Sequence, residues 1–99
     1  MTKEHYTYIL KCSDDTLYIG YTNNLEKRMI AHNNKKGAKY TRGRTPIELL
    51  YYEQFSEKGE ALRQEHSLKK LKREQKDNYI LENLKTNKKK IISEINKNL

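Results

Sequence analysis

Alternating apolar and polar residues near the start of the chain predict two short strands. One face of residues 6–12 carries the side chains of Tyr6, Tyr8, Leu10 and Cys12. Residues 17–21 form a second run of aromatic and β-branched residues, which strands favour. Between the two runs lies Ser-Asp-Asp-Thr, whose residues suit a turn. The pattern therefore predicts a β-hairpin.

A third predicted strand completes the sheet. It covers residues 47–55, and one of its faces is expected to carry Ile47, Leu49, Tyr51 and Phe55. With the hairpin and an intervening helix, the order is ββαβ followed by further helices. The sequence therefore predicts an α+β fold, in which a three-stranded, mainly antiparallel sheet is flanked by helices.

Apolar residues at helical spacing predict the helices. Asn23 and Glu26 resemble a capping box, which opens a helix of about ten residues. Ser56 caps a second helix that ends near Leu71, and a third helix covers residues 73–84.

The tail of residues 86–99 has the spacing of one amphipathic helix, because Ile91, Ile95 and Leu99 recur every fourth residue. Such a helix either covers the core or docks on a partner as an adaptor, and we favour the first interpretation.

The charge of the chain indicates a polyanionic partner. Its 99 residues include 21 Lys and Arg against 13 Asp and Glu, which gives a net charge of +8. Nucleic acid is the commonest partner of so basic a protein. The single Cys12 cannot form an internal disulfide, and no Cys/His metal spacing occurs.

Neither a membrane span nor a leader is expected. No apolar run approaches the roughly 18–20 residues of a span, and the first residues lack the apolar core of a signal peptide. We therefore expect a cytoplasmic protein with no membrane partner, and a monomer is favoured.

Glu65 is the first candidate for chemistry, because it falls inside the apolar arc of the second helix. That arc is formed by Ala61, Leu62 and Leu68. A carboxylate there must be paired, because an unpaired buried charge is too costly. Two interpretations stay open: a rim residue paired with a lysine, or a ligand for Mg²⁺, which often takes only one or two protein carboxylates.

Arg28 and His32 are four residues apart on the first predicted helix, so they share one of its faces. The plain interpretation is a solvated arginine and a capping histidine. The functional interpretation gives a phosphate to Arg28, whose planar fork grips two oxygens and stays charged. His32 would then orient or deprotonate a neighbouring hydroxyl, since imidazole titrates near neutrality.

Tyr8 and Tyr18 are brought together by the hairpin. Strands favour tyrosine, so both are structural by default. A phenol becomes a useful base only where positive charge stabilises its phenolate. The candidates for that charge are Arg28, His32, local lysines and a metal ion. Gly20, inside the second strand, indicates close approach of another group, for which a phosphate is a candidate.

The loop of residues 35–44 suits contact with a phosphate backbone. It has two glycines and five cations, and its candidate nucleic-acid contacts are Lys35, Lys36, Lys39, Tyr40, Arg42 and Arg44. Flexible backbone with positive charge suits phosphate tracking, and Tyr40 can stack on an exposed base. The alternative is a solvated loop.

In this order and spacing, the residues resemble a GIY-YIG nuclease domain over roughly residues 5–72. The two motifs and the three residues that follow them are represented by Tyr8, Tyr18-Ile19-Gly20, Arg28, His32 and Glu65. The chain departs from the pattern at two points. Tyr6 and Thr7 stand where the first motif has Gly and Ile, and Tyr21 stands where some relatives carry a lysine that helps to activate the base.

The resemblance implies a metal-dependent phosphodiesterase. Glu65 would hold one Mg²⁺ or Mn²⁺ ion, and Arg28 would steady the phosphate. Tyr8 or Tyr18 would accept a proton from the attacking water, with His32 supporting the network. The catalytic domain would occupy residues 1–85, with residues 86–99 as an amphipathic helix or tail of the same domain.

The expected activity is that of an endonuclease with little sequence preference, since the chain has no room for an appended DNA-binding domain. Such families include homing endonucleases, restriction enzymes and the incision subunit of bacterial nucleotide excision repair, so we expect a DNA substrate and a role such as DNA repair, with RNA as a second option. The alternative is a non-catalytic module that holds DNA or RNA with the same basic face.

Overall fold

The computed structural model describes residues 3–99 and contains one three-stranded sheet. The strands are β1 (His5–Lys11), β2 (Leu17–Thr22) and β3 (Glu48–Phe55), arranged in the order β2-β1-β3. Both pairings are antiparallel. The predicted α+β fold is confirmed.

Five helices complete the described part of the chain. They are α1 (Leu25–Asn33), α2 (Lys39–Arg42), α3 (Lys58–Lys69), α4 (Arg73–Asn83) and α5 (Thr86–Lys97). Within residues 3–99, no helix combines the length and apolar character that crossing a bilayer requires.

The sheet is covered on both faces. On one face, residues of α1 and α5 pack against the strands, in a core cluster that includes Tyr8, Leu10, Met29, Ile92 and Ile95. On the other face, α3 and α4 contribute to a second cluster, which comprises Ile9, Ile19, Tyr51, Leu68 and Ile80. The central strand β1 is therefore buried on both sides.

An irregularity in the pairing of β1 with β3 changes the predicted face of the third strand. Ile9 pairs with Tyr51 but Leu10 pairs with Leu49, so Leu50 is the extra residue of a bulge. Tyr51 therefore lies on the opposite face from Leu49, in the second cluster. The prediction that these two side chains share a face was wrong.

Two predicted helix starts are wrong by one residue. Asn24, rather than Asn23, caps α1, and its side chain accepts a hydrogen bond from the backbone N–H of Lys27. Glu57, rather than Ser56, occupies the N-cap position of α3, without a side-chain capping bond. In each case the neighbouring residue has the extended backbone that a cap requires.

The amphipathic tail is a core-covering helix with a different apolar face from the predicted one. Ile92 and Ile95 are buried, whereas Ile91 is 46% exposed. The Asn96 amide also pairs with the outer edge of β3: it accepts from the Leu49 N–H at 2.9 Å and donates to the Leu49 carbonyl at 3.0 Å. This side chain satisfies backbone groups that an edge strand otherwise leaves open.

Candidate active site

Tyr8 occupies the centre of the candidate site, and Gly20 makes room for it. The two residues face each other across the β1–β2 pair. A Cβ atom on Gly20 would collide with the Tyr8 hydroxyl, so a larger residue is excluded unless the phenol moves. The group that approaches Gly20 is therefore the Tyr8 ring. The sequence analysis had named a phosphate as the candidate for this group. The Tyr18 ring lies beside it, with centroids 6.3 Å apart.

A chain of hydrogen bonds runs inward from the Tyr8 hydroxyl. The Tyr8 oxygen lies 2.7 Å from His32 Nε2, and His32 Nδ1 lies 2.8 Å from Thr41 Oγ1. Thr41 donates its hydroxyl proton to the Ala38 carbonyl at 3.0 Å.

The last bond fixes the direction of the whole chain. A carbonyl oxygen can only accept a hydrogen bond. The Thr41 hydroxyl therefore donates its one proton to the Ala38 carbonyl, and its oxygen must accept from His32 Nδ1–H. A neutral imidazole carries one proton, so Nε2 is left as an acceptor. Tyr8 consequently donates its proton to His32, and the lone pairs of its oxygen are free to accept another.

Burial keeps both ends of the Tyr8–His32 pair neutral at pH 7. His32 is fully buried, and this desolvation, with the nearby charge of Arg28, lowers its pKa to about 4. Desolvation likewise raises the pKa of Tyr8 to about 12, although Arg28 acts in the opposite direction. Two uncharged groups therefore share this hydrogen bond.

Thr41 and Gly37 are site residues that the sequence analysis missed. Thr41 is fully buried in the short helix α2, and a Cβ on Gly37 would overlap the His32 ring. Both belong to a loop whose charge drew attention to its lysines and arginines. A threonine and a glycine among so many cations were the available signal.

Arg28 lies beside Tyr8 with part of its guanidinium unsatisfied. Its positive charge acts on the hydroxyl of Tyr8 and on the imidazole of His32. Its Nε is buried and has no hydrogen-bond partner in residues 3–99. A buried guanidinium N–H without an acceptor is costly, and an anionic oxygen is the acceptor that suits it best.

Glu65 lies on α3, on the other side of the sheet from Arg28, and it also acts on the Tyr8 hydroxyl. Its negative charge is close enough to raise the pKa of Tyr8. Its side chain is 18% exposed, and one oxygen contacts Lys69 Nζ at 2.8 Å. The pairing with a lysine, one of the two interpretations left open by the sequence, is thus present. Arg28, Tyr18 and Glu65 all act electrostatically on Tyr8, so the three lie within range of one phenol.

One carboxylate with open coordination fits a hard divalent cation that keeps most of its waters. Within residues 3–99, no group of three or more His, Cys, Asp or Glu side chains is clustered as a metal site. Glu65 is the residue that would hold such an ion, in competition with Lys69.

The basic loop divides into two kinds of residue. Four cations are exposed, namely Lys35, Lys36, Lys39 and Arg42. Arg44 instead forms an ion pair with Asp14 at 2.9 Å and lies 4.0 Å from the centre of the Tyr40 ring. Tyr40 stacks on Tyr18, with centroids 5.8 Å apart, so the loop is attached to the site through this pair of rings.

The chain is similar to UPF0213 proteins from several bacteria. A UPF0213 protein of Clostridium perfringens is 61% identical over 72 residues, which make up 73% of this chain and 77% of that protein. One from Bacillus pumilus is 56% identical over 78 residues, or 79% of this chain and 80% of the relative. The solution NMR structure of a UPF0213 protein from Bacillus halodurans, 43% identical, matches with a TM-score of 0.54 over 80% of this chain and 84% of its own. The GIY-YIG catalytic domain matches residues 4–78, and the chain therefore belongs to the GIY-YIG family of nuclease domains.

Proposed function

We propose that the protein is a monomeric, cytoplasmic endonuclease that hydrolyses phosphodiester bonds in DNA, with little sequence preference and with a divalent metal ion. Membership of the GIY-YIG family supports a nucleic-acid substrate. The observation that carries the proposal is Arg28, whose buried Nε has no acceptor and whose charge acts on Tyr8 and His32. A scissile phosphate is the ligand that satisfies such a group.

In the proposed reaction, Tyr8 accepts a proton from the attacking water while its own proton passes to His32. The Tyr8 hydroxyl oxygen and His32 Nε2 are already 2.7 Å apart, and the Tyr8 proton is directed at Nε2. The low pKa of His32 opposes this transfer in the free protein. A bound phosphate adds negative charge beside the imidazole and favours its protonated form.

Arg28 and Glu65 have separate tasks in this proposal. Arg28 binds the phosphate oxygens and stays charged throughout the reaction. Glu65 would hold the ion, Mg²⁺ or Mn²⁺, in competition with Lys69. When bound there, a divalent cation supplies charge stabilisation to the phosphate and the leaving oxygen.

A nicking assay on supercoiled plasmid and branched DNA, with and without Mn²⁺, tests the proposal. Removing a donor to the developing charge should cost about 10²–10³-fold in rate. The nicking rate of Arg28→Ala should therefore be lower than that of the wild type by this factor. Glu65→Ala should abolish the metal-dependent nicking. Arg63→Ala, an exposed arginine on α3, is the matched control and should cleave like the wild type. Metal-dependent nicking that survives Arg28→Ala would contradict the assignment.

The same assay identifies the proton acceptor. Loss of general-base catalysis costs about 10²–10⁴-fold, and we expect this loss in Tyr8→Phe. Tyr18 is only partly buried and lacks the bond to His32, so Tyr18→Phe should have a smaller effect. Equal losses in both variants would assign the role to the pair rather than to Tyr8.

The ion pair between Glu65 and Lys69 favours a second candidate, a non-catalytic nucleic-acid-binding module. In such a module, Lys69 would simply neutralise a rim carboxylate. Binding would then ignore divalent metal and survive Glu65→Ala, and nicking would be absent in the wild type.

A further inference from the structure

Thr7 is a polar residue in the middle of the sheet that has no part in the proposed reaction. It lies on the central strand β1 and is only 1% exposed. A buried hydroxyl is costly unless it has a hydrogen-bond partner, whereas a valine would suit this strand position without that cost. The partner of the Thr7 hydroxyl therefore decides what the residue does.

That partner is the main chain of α3. Thr7 Oγ1 donates a hydrogen bond to the Ala61 carbonyl oxygen at 2.6 Å, although the two residues are 54 positions apart in the sequence. In an α-helix the same carbonyl also accepts the backbone N–H of the residue four positions later, which here is Glu65. Because the carbonyl already has this helical partner, it does not need Thr7. The Thr7 bond instead fixes the turn from Ala61 to Glu65 against β1.

Through this bond, two neighbouring residues of β1 serve the two faces of the sheet. Consecutive side chains of a strand point to opposite faces. Tyr8 accordingly packs in the core cluster with residues of α1, while Thr7 reaches α3. Glu65 acts electrostatically on Tyr8 from α3. The Thr7 bond therefore joins the strand that carries the phenol to the helical turn that carries the carboxylate.

A second side-chain bond holds the same turn from β3. Gln64, which directly precedes Glu65, donates from Nε2 to Glu53 Oε1 at 2.7 Å. Ala61 itself is completely buried. Two strands thus hold α3 within the four residues before and up to Glu65, so the place of its backbone is set by the sheet.

We propose that Thr7 is a positioning residue, whose bond to the Ala61 carbonyl sets the place of the Glu65 carboxylate relative to Tyr8. The inference rests on the proposed function, in which Glu65 would hold a divalent ion. The first GIY-YIG motif has an isoleucine where Thr7 stands, and isoleucine cannot form such a bond. The contact is therefore a property of this chain's own sequence.

The test is Mn²⁺ binding in the absence of nucleic acid, measured as the loss of the EPR signal of the free ion during titration. Thr7→Val removes the hydroxyl but keeps the branched shape of the side chain. Changes to the groups that support a metal ligand typically cost about 10–100-fold in metal affinity, and we expect about a tenfold loss here. Thr7→Ser keeps the donor and should bind Mn²⁺ like the wild type. In the nicking assay, a higher Mn²⁺ concentration should restore the rate of Thr7→Val.

Thr22→Val is the matched control. Thr22 is also a buried strand residue, and its hydroxyl also donates to a backbone carbonyl, that of Asn24 at the start of α1. This variant should leave Mn²⁺ binding unchanged, whatever it does to stability. Unchanged binding in Thr7→Val, an equal loss in Thr22→Val, or a loss in Thr7→Ser as large as that in Thr7→Val would each overturn the inference. A Thr7→Val protein that does not fold would overturn it too, because the bond would then serve the fold as a whole.

Glu65→Ala separates this inference from the proposed function. It should abolish the Mn²⁺ binding that Thr7→Val only weakens. Lack of binding by the wild type, or binding that survives Glu65→Ala, would contradict the proposed function and the inference with it. Binding that is lost in Glu65→Ala but intact in Thr7→Val would overturn the inference alone.

Discussion

The space above Gly20 is the most sensitive point of the site at the scale of single residues. The Tyr8 hydroxyl fills it, and the Tyr18 ring borders it. Gly20→Ala must push the phenol out of line with His32, because the opposing strand cannot move away from its hydrogen-bonded partner. Overpacking of this kind typically costs about 1–3 kcal/mol, and we expect a loss of that size in the free energy of unfolding.

Urea denaturation measures this loss, and Gly43→Ala is its control. Gly43 has open space where a Cβ would stand and a negative φ, so alanine there should be neutral or slightly stabilising. If Gly20→Ala is as stable as the control, the position of the Tyr8 ring does not require the absence of a side chain at residue 20.

The buried His32 predicts a specific dependence of stability on pH. Its folded pKa of about 4 lies below the ordinary value of 6.5, so the unfolded chain binds a proton between these values and the folded chain does not. Stability is therefore complete above pH 6.5 and is lost as the pH falls towards 4. From pH 7 to pH 5 the loss from this group is about 2 kcal/mol.

Urea denaturation at pH 7 and pH 5 tests this expectation. His32→Gln should be less stable at pH 7 but lose less between the two pH values than the wild type does. His66→Gln, at an exposed position on α3, should keep the wild-type dependence. If His32→Gln keeps it too, another group causes the acid sensitivity.

At this scale the sequence predicted the charged and aromatic members of the site but not their supports. Arg28, His32 and Glu65 stand out because their chemistry is unusual for a helix face. Thr41 and Gly37 do not, because a small residue gains its meaning only when the loop folds back on the imidazole. The direction of the hydrogen-bond chain depends on the Ala38 carbonyl, which no side-chain pattern can reveal.

Among the elements, α5 has a role that its amphipathic pattern only partly explains. Asn96 pairs with both backbone groups of Leu49 on the edge strand β3. Asn96→Ala leaves these groups without partners, and we expect a loss of about 1–3 kcal/mol in the free energy of unfolding. Asn87→Ala, exposed on the same helix, controls for helix propensity and should change stability by less than about 0.5 kcal/mol. If thermal or urea unfolding shows equal losses for Asn96→Ala and Asn87→Ala, the pairing of Asn96 with Leu49 does not contribute to stability.

The order and type of the elements could be predicted from the sequence, but their faces could not always be. The hairpin and helices follow from local periodicity, which needs no tertiary information. The bulge at Leu50 arises where β3 meets β1, and it moves Tyr51 to the other face. Tyr51 then donates a hydrogen bond to Glu53, which also accepts one from Tyr79 of α4. Glu53 and Tyr79 are 26 residues apart, and a pairing over that distance leaves no periodic trace in the sequence.

For the whole molecule, the structure predicts that α5 is part of the folding unit and not an appendage. Ile92 is buried in the core, whereas its neighbour Ile91 is mostly exposed. Ile92→Ala should therefore lower the free energy of unfolding by about 2–5 kcal/mol, which is a large part of the 5–15 kcal/mol typical of a domain. Ile91→Ala is the matched control and should cost less than about 1 kcal/mol. Similar urea midpoints for the two variants would indicate that the tail is dispensable.

The hydrogen bond that ends on the Ala38 carbonyl makes one segment serve two purposes. The stretch carrying the exposed Lys39 and Arg42 also anchors the imidazole of His32 through Thr41. Exchanging this stretch between relatives would therefore exchange a support of the candidate active site together with the nucleic-acid contact surface. Chimeras designed to alter target preference should for that reason change turnover as well.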